Sequence, residues 1–227
     1  MKNIIKPIAT LLLGGLMLAA CGEDTVKTGA GGSVYKINND ALIAIVPETD
    51  DLNTDSGFYG DIVYGNADAP VTIVEYASLT CGHCGTFHNT VLPQLKTEFF
   101  DTGRAKLVYR NFSRDQYDLV AGAVSRCSDS ESSKRLLSLF FEKQNDWYRQ
   151  GVNPMEELAK VARRAGMSRA KFERCAVNTD MNTYLTRLRD QARDELQIGV
   201  TPTIYVNGIN LDQPTFEGVK AAIEAAE

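Results

Sequence analysis

The stretch VTIVEYASLTCGHCGTFH, residues 71–88, carries a strand signal, then two cysteines two residues apart, then a helix signal. It also holds both of the chain's histidines. Residues 71–76 are β-branched and aromatic apart from Glu75, the composition of a buried strand. Downstream, Phe87, Val91, Leu95 and Phe99 recur at a spacing of four and predict a helix over 84–100. Pro93 lies inside that pattern and should kink it.

A cysteine pair that follows a strand and opens a helix is a redox arrangement. The first turn of a helix has unpaired backbone N–H groups, and the macrodipole favours an anion there. A thiolate is therefore stabilised at Cys81, the nucleophile, while Cys84 lies one turn on as the resolving thiol. The dipole contributes up to about 2 kcal/mol, roughly one and a half pKa units. His83, between the cysteines, is expected to add a positive charge or a donor beside the sulfur. A Cys81 pKa of about 4.5 would raise the potential of the pair by roughly 70 mV and make its disulfide an oxidant. Zinc is the competing use of Cys81, Cys84, His83 and His88. Structural zinc sites draw a second ligand pair from a distant segment, and no such pair answers here. Neither a metal nor a cofactor is expected.

The wider chain agrees with a globular protein: 227 residues, 44% hydrophobic, 23% charged, formal charge -5. It has no basic stripe, which argues against nucleic acid as a partner. The N-terminus reads as an address. Lys2 and Lys6 precede an apolar run over 8–20 that is short for a membrane span and ends Leu18-Ala19-Ala20-Cys21. That ending resembles the lipobox of bacterial lipoproteins. It implies a signal peptide over 1–20, lipidation of Cys21, and a membrane-anchored protein of the bacterial envelope facing the periplasm or the cell exterior. Export to an oxidising compartment permits disulfides. With Cys21 assigned to a lipid, the five cysteines leave Cys81, Cys84, Cys127 and Cys175.

Residues 21–57 read as a flexible tether, with GAGGS at 29–33 and an acidic, turn-rich run at 47–57. Asp51, Asn53 and Asp55 have the spacing of a calcium loop, but its sixth and twelfth positions are Ser56 and Ile62, so a solvated linker is expected. A second strand is predicted over 106–112. Four or five helices should fill 115–197, with breaks at 145–146, 151–154 and 166. Residues 203–206 form a third strand, turned by Asn207-Gly208 onto a partner at 209–211. A last helix spans 214–225. Strands alternating with helices give an α/β sheet with a helical insertion.

Taken together, these residues resemble the DsbA-like thiol:disulfide oxidoreductases of the thioredoxin superfamily, over roughly residues 58–227. The resemblance is carried by residues 71–88, by Pro93, by GVTPTIYVNG at 199–208 and by the helical block. It implies a thioredoxin fold over 58–114 and 198–227 with an all-helical domain inserted at 115–197. It makes Pro202 a cis residue facing the disulfide beside Thr201, whose backbone would pair with an extended substrate. It also makes Glu75 a buried acid assisting proton transfer at Cys84, and leaves His88 as a structural helix residue. The implied activity introduces disulfides into exported proteins with free thiols, with a membrane partner reoxidising the dithiol of a monomer. Gly82 and Thr201 also occur in isomerase-like relatives, so isomerase or reductase activity is the alternative. A non-catalytic peptide-binding lipoprotein is the other. Within the helical block, Cys127 and Cys175 are expected to form a structural disulfide closing a loop of about 49 residues, worth roughly 4 kcal/mol in chain entropy.

Overall fold

The computed structural model describes residues 24–27 and 33–227. Cys21, the apolar leader and most of GAGGS lie outside the described residues. The order of elements is β1 (Asp24–Lys27), β2 (Ser33–Lys36), α1 (Asn39–Ala44), β3 (Ile62–Tyr64), β4 (Val71–Ala77), α2, β5 (Ala105–Asn111), then six helices, then β6 (Thr203–Val206), β7 (Ile209–Asn210) and α9 (Phe216–Glu224). The six are α3 (Gln116–Ser125), α4 (Ser130–Glu142), α5 (Gln144–Trp147), α6 (Pro154–Arg164), α7 (Arg169–Ala176) and α8 (Thr179–Leu196). Helix α2 runs through four consecutive stretches: Gly82–Thr86, a π-helical turn at Phe87–Val91, Leu92–Leu95, and a second π-helical turn at Lys96–Phe100.

One mixed sheet organises the molecule in the order β1-β2-β7-β6-β4-β5-β3. Strand β4 lies inside the sheet between β6 and β5, and every residue in it is buried. It runs parallel to β5, with Val71 opposite Ala105 and Ala77 opposite Asn111, and antiparallel to β6. A strand buried on both faces must be covered twice. Val71, Ile73 and Ala77 pack with Phe87, Leu95 and Phe99 of α2 and with the insert. Val74 and Tyr76 point the other way, onto Leu42, Ala192 and Ile198. The thioredoxin fold with a helical insertion expected from the resemblance is what these layers form.

Four features differ from the sequence reading. Where a kink was expected at Pro93, α2 widens into a π-helical turn just before it. Proline removes a backbone donor and crowds the preceding turn, and a π turn absorbs that locally. The block at 115–197 has six helices, and Asn145–Asp146 lie inside α5 rather than between helices. The tether expected over 21–57 is structured where it is described: β1 and β2 pair antiparallel and extend the sheet through β7, and residues 36–57 pack against the domain. Leu42 is wholly buried, and Arg110 Nη1 and Nη2 donate to the carbonyls of Leu42 and Ile43, both at 2.8 Å. Arg110 also makes a bidentate contact with Asp61, and Asp51 pairs with Arg187. A six-residue apolar run cannot announce a buried guanidinium 67 residues downstream as its partner. The short edge strand β3, antiparallel to β5, went unpredicted for the same reason: three residues show no periodicity.

Candidate active site

Cys81 is the N-cap of α2, with extended backbone (φ -90°, ψ 120°). Helix caps are normally side-chain oxygens that accept the free N–H groups of the first turn. Here no side-chain hydrogen bond caps the helix; the sulfur stands at its N-terminus, where the first-turn N–H groups of His83 and Cys84 favour its anion. The Cys84 thiol is the strongest influence on Cys81, followed among the favourable ones by the Thr201 hydroxyl. Against some opposing burial, these donors lower the Cys81 thiol to about 4. The Thr201 hydroxyl is buried and, among the described residues, has no hydrogen-bond partner.

Cys84 is the opposite case. It is fully buried, and burial, its hydrogen bond to Cys81 and the Glu75 carboxylate all push its thiol far up. Both cysteines are thiols in this structure. One sulfur thus holds an anion easily and its partner holds a proton, which is the asymmetry that directed disulfide exchange requires.

The Thr201–Pro202 peptide is cis, and the Thr201 carbonyl lies 3.3 Å from the Cys81 sulfur and accepts its S–H. Residues separated by 120 positions therefore share one site. Val200, next to them, is an exposed apolar side chain.

His83 makes no side-chain hydrogen bond to the sulfur among the described residues. It is exposed, and among the described residues its ring makes no hydrogen bond or ion pair. Its contribution to Cys81 is its backbone N–H. His88, read as a plain helix residue, is instead the partner of Glu75: His88 Nε2 and Glu75 Oε2 are 2.9 Å apart, in full burial. The ring is stacked on Phe141 at 3.9 Å and edge-on to Tyr109. A buried acid needs a partner, and with only two histidines in the chain that requirement could have singled out His88.

Several site residues carried no sequence signal. Asp118 of α3 is buried, and its carboxylate accepts the N–H of Leu79 (2.8 Å) and of Arg114 (2.9 Å). Asp115 Oδ2 accepts the hydroxyls of Thr80 (2.8 Å) and Tyr148 (3.0 Å). Gln144 of α5 reaches the same loop. The turn leading into Cys81 is thus held by side chains of the insert. Away from the site, Cys127 after α3 and Cys175 in α7 are joined in a disulfide, Cα–Cα 5.7 Å.

Comparison with known proteins agrees with this geometry. The thioredoxin family profile matches residues 59–225. A putative protein-disulfide oxidoreductase of Rickettsia bellii is 28% identical over 166 residues, 73% of this chain and 64% of the relative. The chain therefore spans less than two thirds of that relative's length. A probable disulfide bond formation protein D of Bacillus cereus is 30% identical over 171 residues, 70% of this chain and 76% of the relative. The crystal structure of Wolbachia pipientis alpha-DsbA1 shares the fold, with a TM-score of 0.70 at 22% identity, over 84% of this chain and 96% of that one. The chain belongs to the thioredoxin superfamily and, within it, to the DsbA-like thiol:disulfide oxidoreductase family.

Proposed function

We propose that the protein introduces disulfide bonds into exported proteins by exchange at the Cys81–Cys84 pair. The observation that carries this reading is the contrast between a Cys81 thiol lowered to about 4 and a buried Cys84 thiol pushed far up, beside a cis proline. In the oxidised protein, a substrate thiolate attacks the Cys81 sulfur. The Cys81–Cys84 bond breaks, a mixed disulfide forms on Cys81, and Cys84 takes up the electron pair and a proton. A second substrate thiolate then attacks the substrate sulfur of that mixed disulfide. Cys81 leaves as a thiolate, and a low-pKa thiol leaves readily. The substrate has lost two electrons and two protons. One proton stays on Cys84 and one is released.

At pH 7 a thiol with a pKa of about 4 is favoured as thiolate by about three pH units, roughly 4 kcal/mol or 90 mV toward an oxidising couple. A membrane redox partner that accepts two electrons would return the pair to the disulfide. The leader over 1–20 and Cys21 support export and lipid attachment, with the monomer as the working unit. Isomerase activity is the second reading, favoured by Gly82 and by the Thr201 hydroxyl beside the sulfur.

The deciding experiment is the reduction potential of the pair, followed by refolding of a reduced multi-disulfide substrate. A potential near about -120 mV with net disulfide formation supports an oxidase, and one near about -270 mV supports a reductase. Turnover that survives Cys81→Ser would remove the dithiol mechanism altogether. Incorporation of labelled lipid, lost in Cys21→Ser, tests the anchor.

A further inference from the structure

The insert does more than cover the core. Gln144 is buried at the first position of α5, a single helical turn anchored by Trp147. Trp147 is wholly buried, and its indole N–H donates to the Phe140 carbonyl at 2.9 Å. From that anchored turn the Gln144 amide nitrogen donates both of its hydrogens into the active-site turn. One goes to the Leu79 carbonyl at 2.8 Å, the other to the Cys81 carbonyl at 2.9 Å. The Cys81 carbonyl also accepts the Gly85 N–H at 3.0 Å, the first hydrogen bond of the helix.

A second observation points to the same contact. A Cβ added at Gly85 would stand 2.8 Å from Gln144 Oε1 and 3.3 Å from its Cδ. Glycine within a helix is unfavourable relative to alanine, yet here it is the residue that leaves room for the amide. Gly85 and Gln144 are 59 positions apart and fit as a matched pair.

We infer that Gln144 is a positioning residue for Cys81, holding the carbonyls of Leu79 and Cys81 so that the Cys81 sulfur stays at the N-terminus of α2, beside its unpaired first-turn N–H groups. This rests on the reading of Cys81 as the nucleophile. Two effects of the amide have the same sign. It fixes the peptide planes on either side of the Thr80–Cys81 unit, and its donors offset the negative ends of two carbonyl dipoles next to a thiolate. Without it, the anion is less favoured on both counts.

The test compares Gln144→Met, which keeps the volume and removes both donors, with Gly85→Ala, which keeps the amide and displaces it. The readouts are the thiolate titration of Cys81 by ultraviolet absorbance, the reduction potential and the thermal midpoint. Loss of the amide should raise the Cys81 titration midpoint by about one unit, a tenfold weakening of the thiolate, which lowers the potential by about 30 mV. Gly85→Ala should move the midpoint in the same direction, and combining it with Gln144→Met should add nothing. A merely structural role would change the thermal midpoint and leave the titration alone. A depressed wild-type titration that neither variant changes would overturn this inference and leave the function intact. An ordinary thiol titration in the wild type would overturn the reading of Cys81 itself. If Gln144→Met does not fold, the titration of Gly85→Ala decides.

Discussion

Glu75 Oε2 and His88 Nε2 meet at 2.9 Å with both side chains sealed from solvent, while Glu75 Oε1 and His88 Nδ1 have no hydrogen-bond partner. Among the described residues, each is therefore the other's only side-chain hydrogen-bond partner, in a pocket walled by Phe87, Tyr109 and Phe141. Removing one strands the other, which typically costs 3–5 kcal/mol. Glu75→Leu and His88→Leu should each destabilise the oxidised protein by about 3 kcal/mol in urea unfolding. The double variant should lose much less than the sum, because neither buried group is then left alone. Additive losses would mean that the pair is not coupled.

Asp118 should impose a pH dependence of stability. Burial raises its carboxyl from 3.8 to about 7, only partly offset by the Ser78 hydroxyl and the N–H groups of Arg114 and Leu79. A raised acid holds its proton longer when folded than when unfolded, so stability falls as pH rises between the two values. Oxidised protein should lose up to about 4 kcal/mol from this group between about pH 4 and pH 7. The oxidised form is the one to use, because Cys81 does not then titrate. Denaturant midpoints across that range should slope downward in the wild type and flatten in Asp118→Asn. Equal slopes would remove the assignment.

The Cys127–Cys175 bond spans 48 positions and ties the end of α3 to α7. Its removal in the Cys127→Ala/Cys175→Ala double variant should lower stability by about 4 kcal/mol on the chain-entropy estimate. Exchange at Cys81–Cys84 should persist wherever the variant is folded, because none of the groups around Cys81 belongs to this bond. Folded variant without exchange activity would place the bond in the redox chemistry.

Gly82 opens α2, is exposed, and a Cβ there would meet nothing within 4 Å. Proline suits the first position of a helix, where its missing N–H is not needed. Gly82→Pro should stabilise the protein by about 0.4–1 kcal/mol through the unfolded chain. Its Cys81 titration should stay several units below an ordinary thiol, because the groups that favour the anion are Cys84, Thr201 and the backbone of residues 83 and 84. A titration that returned toward 9 would show that Gly82 itself maintains the thiolate.

The cis Pro202 followed from the family resemblance, whereas the buried strand at 71–76, the cysteine pair opening a helix and the α/β order were read from the residues themselves. Those features are local: a strand composition, a helix periodicity, a cysteine spacing, a turn dipeptide. The edge strand β3 and the packing of residues 36–57 were not legible, since their partners are remote and their own runs are short. The same limit applied inside the site. Sequence placed His83 beside the sulfur because it lies between the cysteines, but adjacency along a helix does not aim a side chain, and the ring turned outward. His88, Asp118 and Gln144 were anonymous polar residues until the fold brought them to Glu75, Leu79 and Cys81. The sequence alone determined the strand, the cysteine pair and the helix that it opens, because they are contiguous. Tertiary structure alone decided what stabilises and positions them, because a buried proton, carbonyl or carboxylate must be satisfied by whatever group packing delivers, at any distance along the chain.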